Sequence, residues 1–87
     1  GALWVVVGCG GDRDPGKRPL MAAVAEREAT RTVLTSDNPR SEAPEDILAQ
    51  MRAGLRQPRA VRTVVDRAQA IALAVREAKP VDVVLIA

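Results

Sequence analysis

Histidine is absent from this chain of 87 residues, and so are phenylalanine and tyrosine. Any mechanism that needs an imidazole as base, as partner of a nucleophile or as metal ligand is therefore excluded for this chain alone. Trp4 is the single aromatic residue, so there are no rings on which nucleic-acid bases could stack, and the core must be almost wholly aliphatic. One cysteine, Cys9, cannot close an internal disulfide, which fits a reducing, cytoplasmic setting. Neither sign of charge is in excess. Thirteen Lys and Arg against 11 Asp and Glu leave a net charge of +2, too balanced to argue for nucleic acid. No apolar run approaches the roughly 20 residues needed to cross a bilayer, and no signal peptide is visible. Apolar residues make up 47% of the chain, enough for one small domain, residues 1–87, with a core of marginal stability.

The stretch around which the rest is organised is Gly8-Cys9-Gly10-Gly11-Asp12-Arg13-Asp14-Pro15-Gly16-Lys17-Arg18-Pro19. It follows the apolar run Leu3-Trp4-Val5-Val6-Val7 and precedes a helical pattern. A buried strand thus delivers the chain into a glycine-rich turn that opens on a helix N-terminus, where unpaired N–H groups attract anions. Arg13, Lys17 and Arg18 add cations, and Asp12 and Asp14 add carboxylates. Two phosphate fingerprints come close and fail. G-x-G-x-x-G begins at Gly8 and Gly10 but meets Arg13 at its third glycine. G-x-x-x-x-G-K-S/T fits Gly11 through Lys17 but meets Arg18 where a hydroxyl belongs. The two aspartates would also repel a phosphate nested in the loop.

Strand and helix patterns then alternate. The spacing predicts a helix over residues 18–29, with Met21, Val24, Ala25 and Ala29 on its buried face. A second strand over 32–35 runs into the turn-forming cluster Ser36-Asp37-Asn38-Pro39-Arg40. Pro44 opens a second helix with Ile47, Leu48, Met51 and Leu55 as its stripe, and Gly54, Gln57 and Pro58 end it. A third strand over 61–65 leads to a capping box, Asp66 to Gln69, and a helix with Ile71, Ala74, Val75 and Ala78 inward. The closing run, Val83 to Ile86, reads as a strand buried on both faces. Together these imply an α/β, three-layer Rossmann-like domain, β-α-β-α-β-α-β, with a mainly parallel sheet in strand order 4-1-2-3. The abrupt start and stop read as a fragment of a longer chain, with further partners of the sheet outside it.

In a parallel sheet the loops after the first and second strands open at one carboxyl edge, about 5 Å apart when the strands are neighbours. Arg13 and the Asp37-Asn38-Pro39-Arg40 turn then face one space, where ligands of open α/β sheets bind. Two arginines can grip a carboxylate, and Asp37 and Asn38 can accept hydrogen bonds from an ammonium group. That set suits a zwitterionic amino acid better than a sugar or a nucleic acid.

These same residues carry a resemblance. The Gly8–Pro19 stretch, Asp37-Asn38-Pro39-Arg40, and Asp66-Arg67-Ala68 with Ala70-Ile71 resemble, in order and spacing, the C-terminal domain of the Mur ligases, and more narrowly of their diaminopimelate-adding branch. The resemblance implies an ATP-dependent amide ligase of peptidoglycan synthesis in the cytoplasm. Such an enzyme converts the D-glutamate carboxylate of the UDP-N-acetylmuramoyl dipeptide into an acyl phosphate, which the incoming amine displaces. It further implies that Arg40 binds the distal carboxylate of meso-diaminopimelate, that Asp37 and Asn38 hold the amino acid, and that Arg13 is a second contact. Asp12 and Lys17 would lie near the nucleotide on domain closure. ATP and Mg2+ would be bound mainly by a central domain, and the nucleotide sugar by an N-terminal domain, both outside this fragment. No catalytic and no metal-binding residue is expected in the fragment, which alone should lack ligase activity.

Other residues read as structural. Cys9 is a small buried residue at a strand end, Trp4 a core residue and Asp66 a helix cap, while Arg56, Arg59, Arg62 and Arg67 form a solvated surface. Two rivals remain: a stand-alone Rossmann-like module that binds a small ligand without catalysis, and a small P-loop-like phosphotransferase.

Overall fold

Side chains of the first strand, β1 (Leu3–Cys9), alternate between two cores. Trp4 and Val6 pack with Val33, Ala70 and Ala74 on one side of the sheet. Val7 and Cys9 pack with Ala22, Ala25, Leu34, Ile47, Leu48 and Met51 on the other. A strand covered on both faces by helices is what a run of consecutive β-branched residues favours. The computed structural model describes residues 1–12 and 14–87. Its elements follow as α1 (Lys17–Glu28), β2 (Arg31–Ser36), α2 (Pro44–Arg52), a 3-10 turn (Pro58–Ala60), β3 (Arg62–Thr63), α3 (Arg67–Glu77) and β4 (Val83–Ile86). The sheet is parallel throughout, ordered β3-β2-β1-β4, as the sequence predicts. Helices α1 and α2 cover one face and α3 the other, giving three layers.

Four local expectations shift. The buried face of α1 is Arg18, Ala22 and Ala25, while Met21 and Val24 are turned outward. One residue is a rotation of about 100° on a helix, and the side chain that sets the rotation is Arg18, anchored by hydrogen bonds beneath the glycine-rich loop. The third strand shrinks to Arg62–Thr63, although Val64 N–H still donates to Leu34 O and Ser36 N–H to Val65 O. In α3 the buried residues are Ala70 and Ala74, with Ile71 and Ala78 packed at their margin and Val75 exposed. Strand β4 pairs with β1 on one side, and Val83, Leu85 and Ile86 are 55%, 52% and 43% exposed instead of buried on both faces.

The remaining details agree with the sequence. Asp66 caps α3, its Oδ1 accepting from Gln69 N–H at 2.9 Å. The α2 stripe of Ile47, Leu48 and Met51 is buried, with Leu55 packed against it. Trp4 is a core residue whose Nε1 donates to Asp82 Oδ2 at 3.3 Å. No helix among the described residues is long and apolar enough to cross a membrane.

Candidate functional site

Strands β1 and β2 run in parallel register to their ends, Cys9 opposite Ser36, so the loops that follow leave the sheet side by side. They are then locked backbone to backbone. Asp37 N–H donates to Cys9 O at 3.3 Å, and Gly11 N–H donates to Asn38 O at 2.9 Å. A Cβ on Gly11 would lie 1.7 Å from Pro39 O, so only glycine lets the two loops approach this closely. Side chains complete the lock. Asp12 N–H donates to Glu42 Oε2 at 2.5 Å, and Ser41 Oγ donates to the Asp12 carboxylate.

Three residues of this region, Asp12, Asn38 and Arg40, hold φ of 56°, 50° and 56°. The left-handed conformation costs a side-chain-bearing residue about 1–2 kcal/mol. Asn and Asp reduce that cost by local hydrogen bonding, but Arg has no such recourse. Strain of this kind persists where the surroundings over-determine it, and it clusters at binding sites.

Beside the lock lies an open cleft of about 570 Å³. Gly10, Lys17, Arg18, Asp37, Asn38 and Arg40 all line it. The structure thus brings Asp37, Asn38 and Arg40 to one space at the carboxyl edge, where Lys17, expected near a nucleotide, joins them. Asp12 is drawn instead into the lock through both its amide and its carboxylate. Arg13 lies outside the described residues.

The glycine-rich loop is not built as a phosphate nest. Such a nest needs backbone N–H groups free and convergent, yet the amides of Gly8, Gly11, Asp12 and Gly16 donate to Ala87 O, Asn38 O, Glu42 Oε2 and Asp14 Oδ1. Among the described residues no group of three His, Cys, Asp or Glu side chains could hold a metal ion. The engaged amides speak against the P-loop-like phosphotransferase.

Two charged residues take places that the sequence did not foresee. Arg18 is 2% exposed and is held by Glu42, whose carboxylate takes both terminal nitrogens at 2.8 and 2.7 Å. The guanidinium and the Asp12 amide push Glu42 down to about 2, and Glu42 in turn raises Arg18. The available signal was local misfit: Lys17 and Arg18 open a helix at the end where the dipole disfavours cations. The other residue is Arg67, read as solvated. Its Nη1 is buried without a partner among the described residues and lies 2.9 Å from where a Cβ on Gly8 would be. Cys9 is buried as expected, and burial pushes its thiol up, with the Arg18 charge opposing.

A parallel α/β sheet whose carboxyl edge carries two locked loops around a cleft is the architecture of the Rossmann-like class, in which ligands bind at that edge. Residues 1–87 match the family model described as Mur ligase, glutamate ligase domain. The chain belongs to the Mur ligase family. A curated relative from Ralstonia nicotianae, named UDP-N-acetylmuramoyl-L-alanyl-D-glutamate--2,6-diaminopimelate ligase, is 58% identical over 100% of this chain and 17% of its own length. Relatives of the same name from an Acidovorax species and Vibrio cholerae are 59% and 53% identical, with 17% and 18% of their lengths covered. A solved structure of an enzyme of that name superposes with a TM-score of 0.91 at 46% identity, over 98% of this chain and 18% of the other. The chain therefore spans less than a fifth of the length of the relatives it matches.

Proposed function

We propose that this chain is the amino-acid-binding part of an ATP-dependent ligase that adds meso-diaminopimelate to UDP-N-acetylmuramoyl-L-alanyl-D-glutamate in cytoplasmic peptidoglycan synthesis. Within that enzyme, residues 1–87 form a fragment of the C-terminal domain. The observation that carries this reading is the backbone lock of Gly11 against Pro39, which fixes Asp37, Asn38 and Arg40 around one cleft. The names of the relatives support the choice of substrate.

In this reading Arg40 pairs with the distal carboxylate, Asp37 and Asn38 accept hydrogen bonds from an ammonium group, and Arg13 adds a second cation. Lys17, at the cleft, and Asp12, in the lock, approach the nucleotide when domains close. The fragment's residues bind and orient the amino acid and make no bonds themselves. They do not fit a nucleotide phosphate or a magnesium ion, because the loop amides are engaged and no carboxylate cluster is present among the described residues. In this reading ATP and Mg2+ are bound mainly by a central domain of the parent and the nucleotide sugar by an N-terminal one.

Phosphate release by the full-length parent, given ATP and the nucleotide dipeptide, tests the reading. Release is expected with meso-diaminopimelate and not with L-lysine, which lacks the distal carboxylate. Arg40→Ala should lower kcat/KM for meso-diaminopimelate about 10- to 100-fold, the value of one charged hydrogen-bonded pair. Equal release with lysine would remove the selector role from Arg40. No release with any amino acid would favour a stand-alone binding module.

A further inference from the structure

Arg18 reaches both loops of the lock. Its Nη2 donates to Gly10 O in the glycine-rich loop at 3.0 Å. Both terminal nitrogens reach Glu42, which follows the Asp37-Asn38-Pro39-Arg40 turn. Its Nη1 also donates to Gln50 Oε1 of α2 at 2.8 Å. Glu42 passes the connection back by accepting from Asp12 N–H. One guanidinium at 2% exposure thus ties two loops and a helix at the floor of the cleft that it also lines.

Its contribution to stability does not by itself require this arrangement. Arg18 is buried while Glu42 is partly exposed, and the best-attested use of a buried, paired charge is to fix one geometry among several. The cost is visible in Arg18 Nε, which is buried without a partner. With this pair in place α1 buries Arg18, while Met21 and Val24 remain exposed. Four bonds leave two nitrogens of a planar fork, and the single nitrogen of a lysine, with three donors, could not make them all.

We propose that Arg18, acting through Glu42, is a positioning residue for the amino-acid site, setting the distance between the glycine-rich loop and the turn that carries Asp37, Asn38 and Arg40. The proposal rests on the amino-acid-binding reading. A ligand gripped from two loops loses contacts, and with them affinity, when the loops separate.

The test uses the full-length ligase carrying Arg18→Lys or Glu42→Gln, with KM determined separately for meso-diaminopimelate, ATP and the nucleotide dipeptide. Both variants are expected to raise KM for meso-diaminopimelate about tenfold or more, while the other two KM values and kcat stay within about twofold. Glu42→Gln keeps the shape of a partly exposed side chain, so it decides the matter if Arg18→Lys does not fold. An unchanged KM for the amino acid overturns the proposal. So does an equal loss for all three substrates accompanied by a lower Tm, which is the signature of a merely structural role. If the wild-type enzyme itself shows no meso-diaminopimelate-dependent phosphate release, it is the proposed function that fails.

Discussion

At the scale of single residues, the site is governed by which atoms can approach each other. Gly11 is the sharpest case. A methyl group there would overlap Pro39 O, a backbone atom that cannot rotate away. Gly11→Ala should therefore separate the loops and destabilise the domain by about 1–3 kcal/mol, the usual cost of overpacking. The check is a lower Tm together with a raised KM for the amino acid. Glu42 is the sharpest electrostatic case, because Arg18 and the Asp12 amide hold its carboxyl far below the usual range.

At the scale of elements, the most legible features were those with a strong local pattern. The β-branched run made β1, Pro44 and the Ile47-Leu48-Met51 stripe made α2, and Asp66 made the cap of α3. The face of α1 was not legible. Its apolar residues spell one face, but a tertiary ion pair with Glu42, 24 residues away in sequence, selects another, and no periodicity encodes that partner. The candidate cleft was half legible. Asp37, Asn38 and Arg40 could be placed from turn chemistry and the parallel sheet, whereas Glu42 lies among ordinary surface charges. The rotated helix makes a direct prediction. Ile47→Ala in α2, with no exposure at all, should cost about 2–5 kcal/mol in chemical denaturation. Val24→Ala in α1, 47% exposed, should stay within about 0.5 kcal/mol of wild type. The expected sequence face of α1 would make Val24 costly.

At the scale of the whole molecule, acid stability follows from three carboxylates tied to distant segments. Arg18 holds Glu42 down to about 2. The amides of Arg56 and Gln57 lower Glu26, and those of Lys79 and Ala2 lower Asp82. Each folded value lies below its unfolded value, so each group contributes stability above the ordinary carboxylate range and loses it as pH falls through that range toward the folded value. Unfolding should therefore steepen as pH falls from about 4.5 toward 2. Trp4, the sole aromatic residue and buried beside Asp82, reports it through the red shift of its fluorescence. Glu42→Gln should flatten this acid limb, and an unaltered limb would show that the pair adds nothing to folding.

The left-handed backbone at position 40 also bears on how such a domain changes through descent. Exchanging Arg40 for glycine or asparagine would remove the guanidinium from the cleft and at the same time relax the local chain. A lineage that moved to an amino acid without a distal carboxylate would thus drift downhill in folding free energy. On the proposed role of Arg40, demand for the charged ligand would oppose that slope.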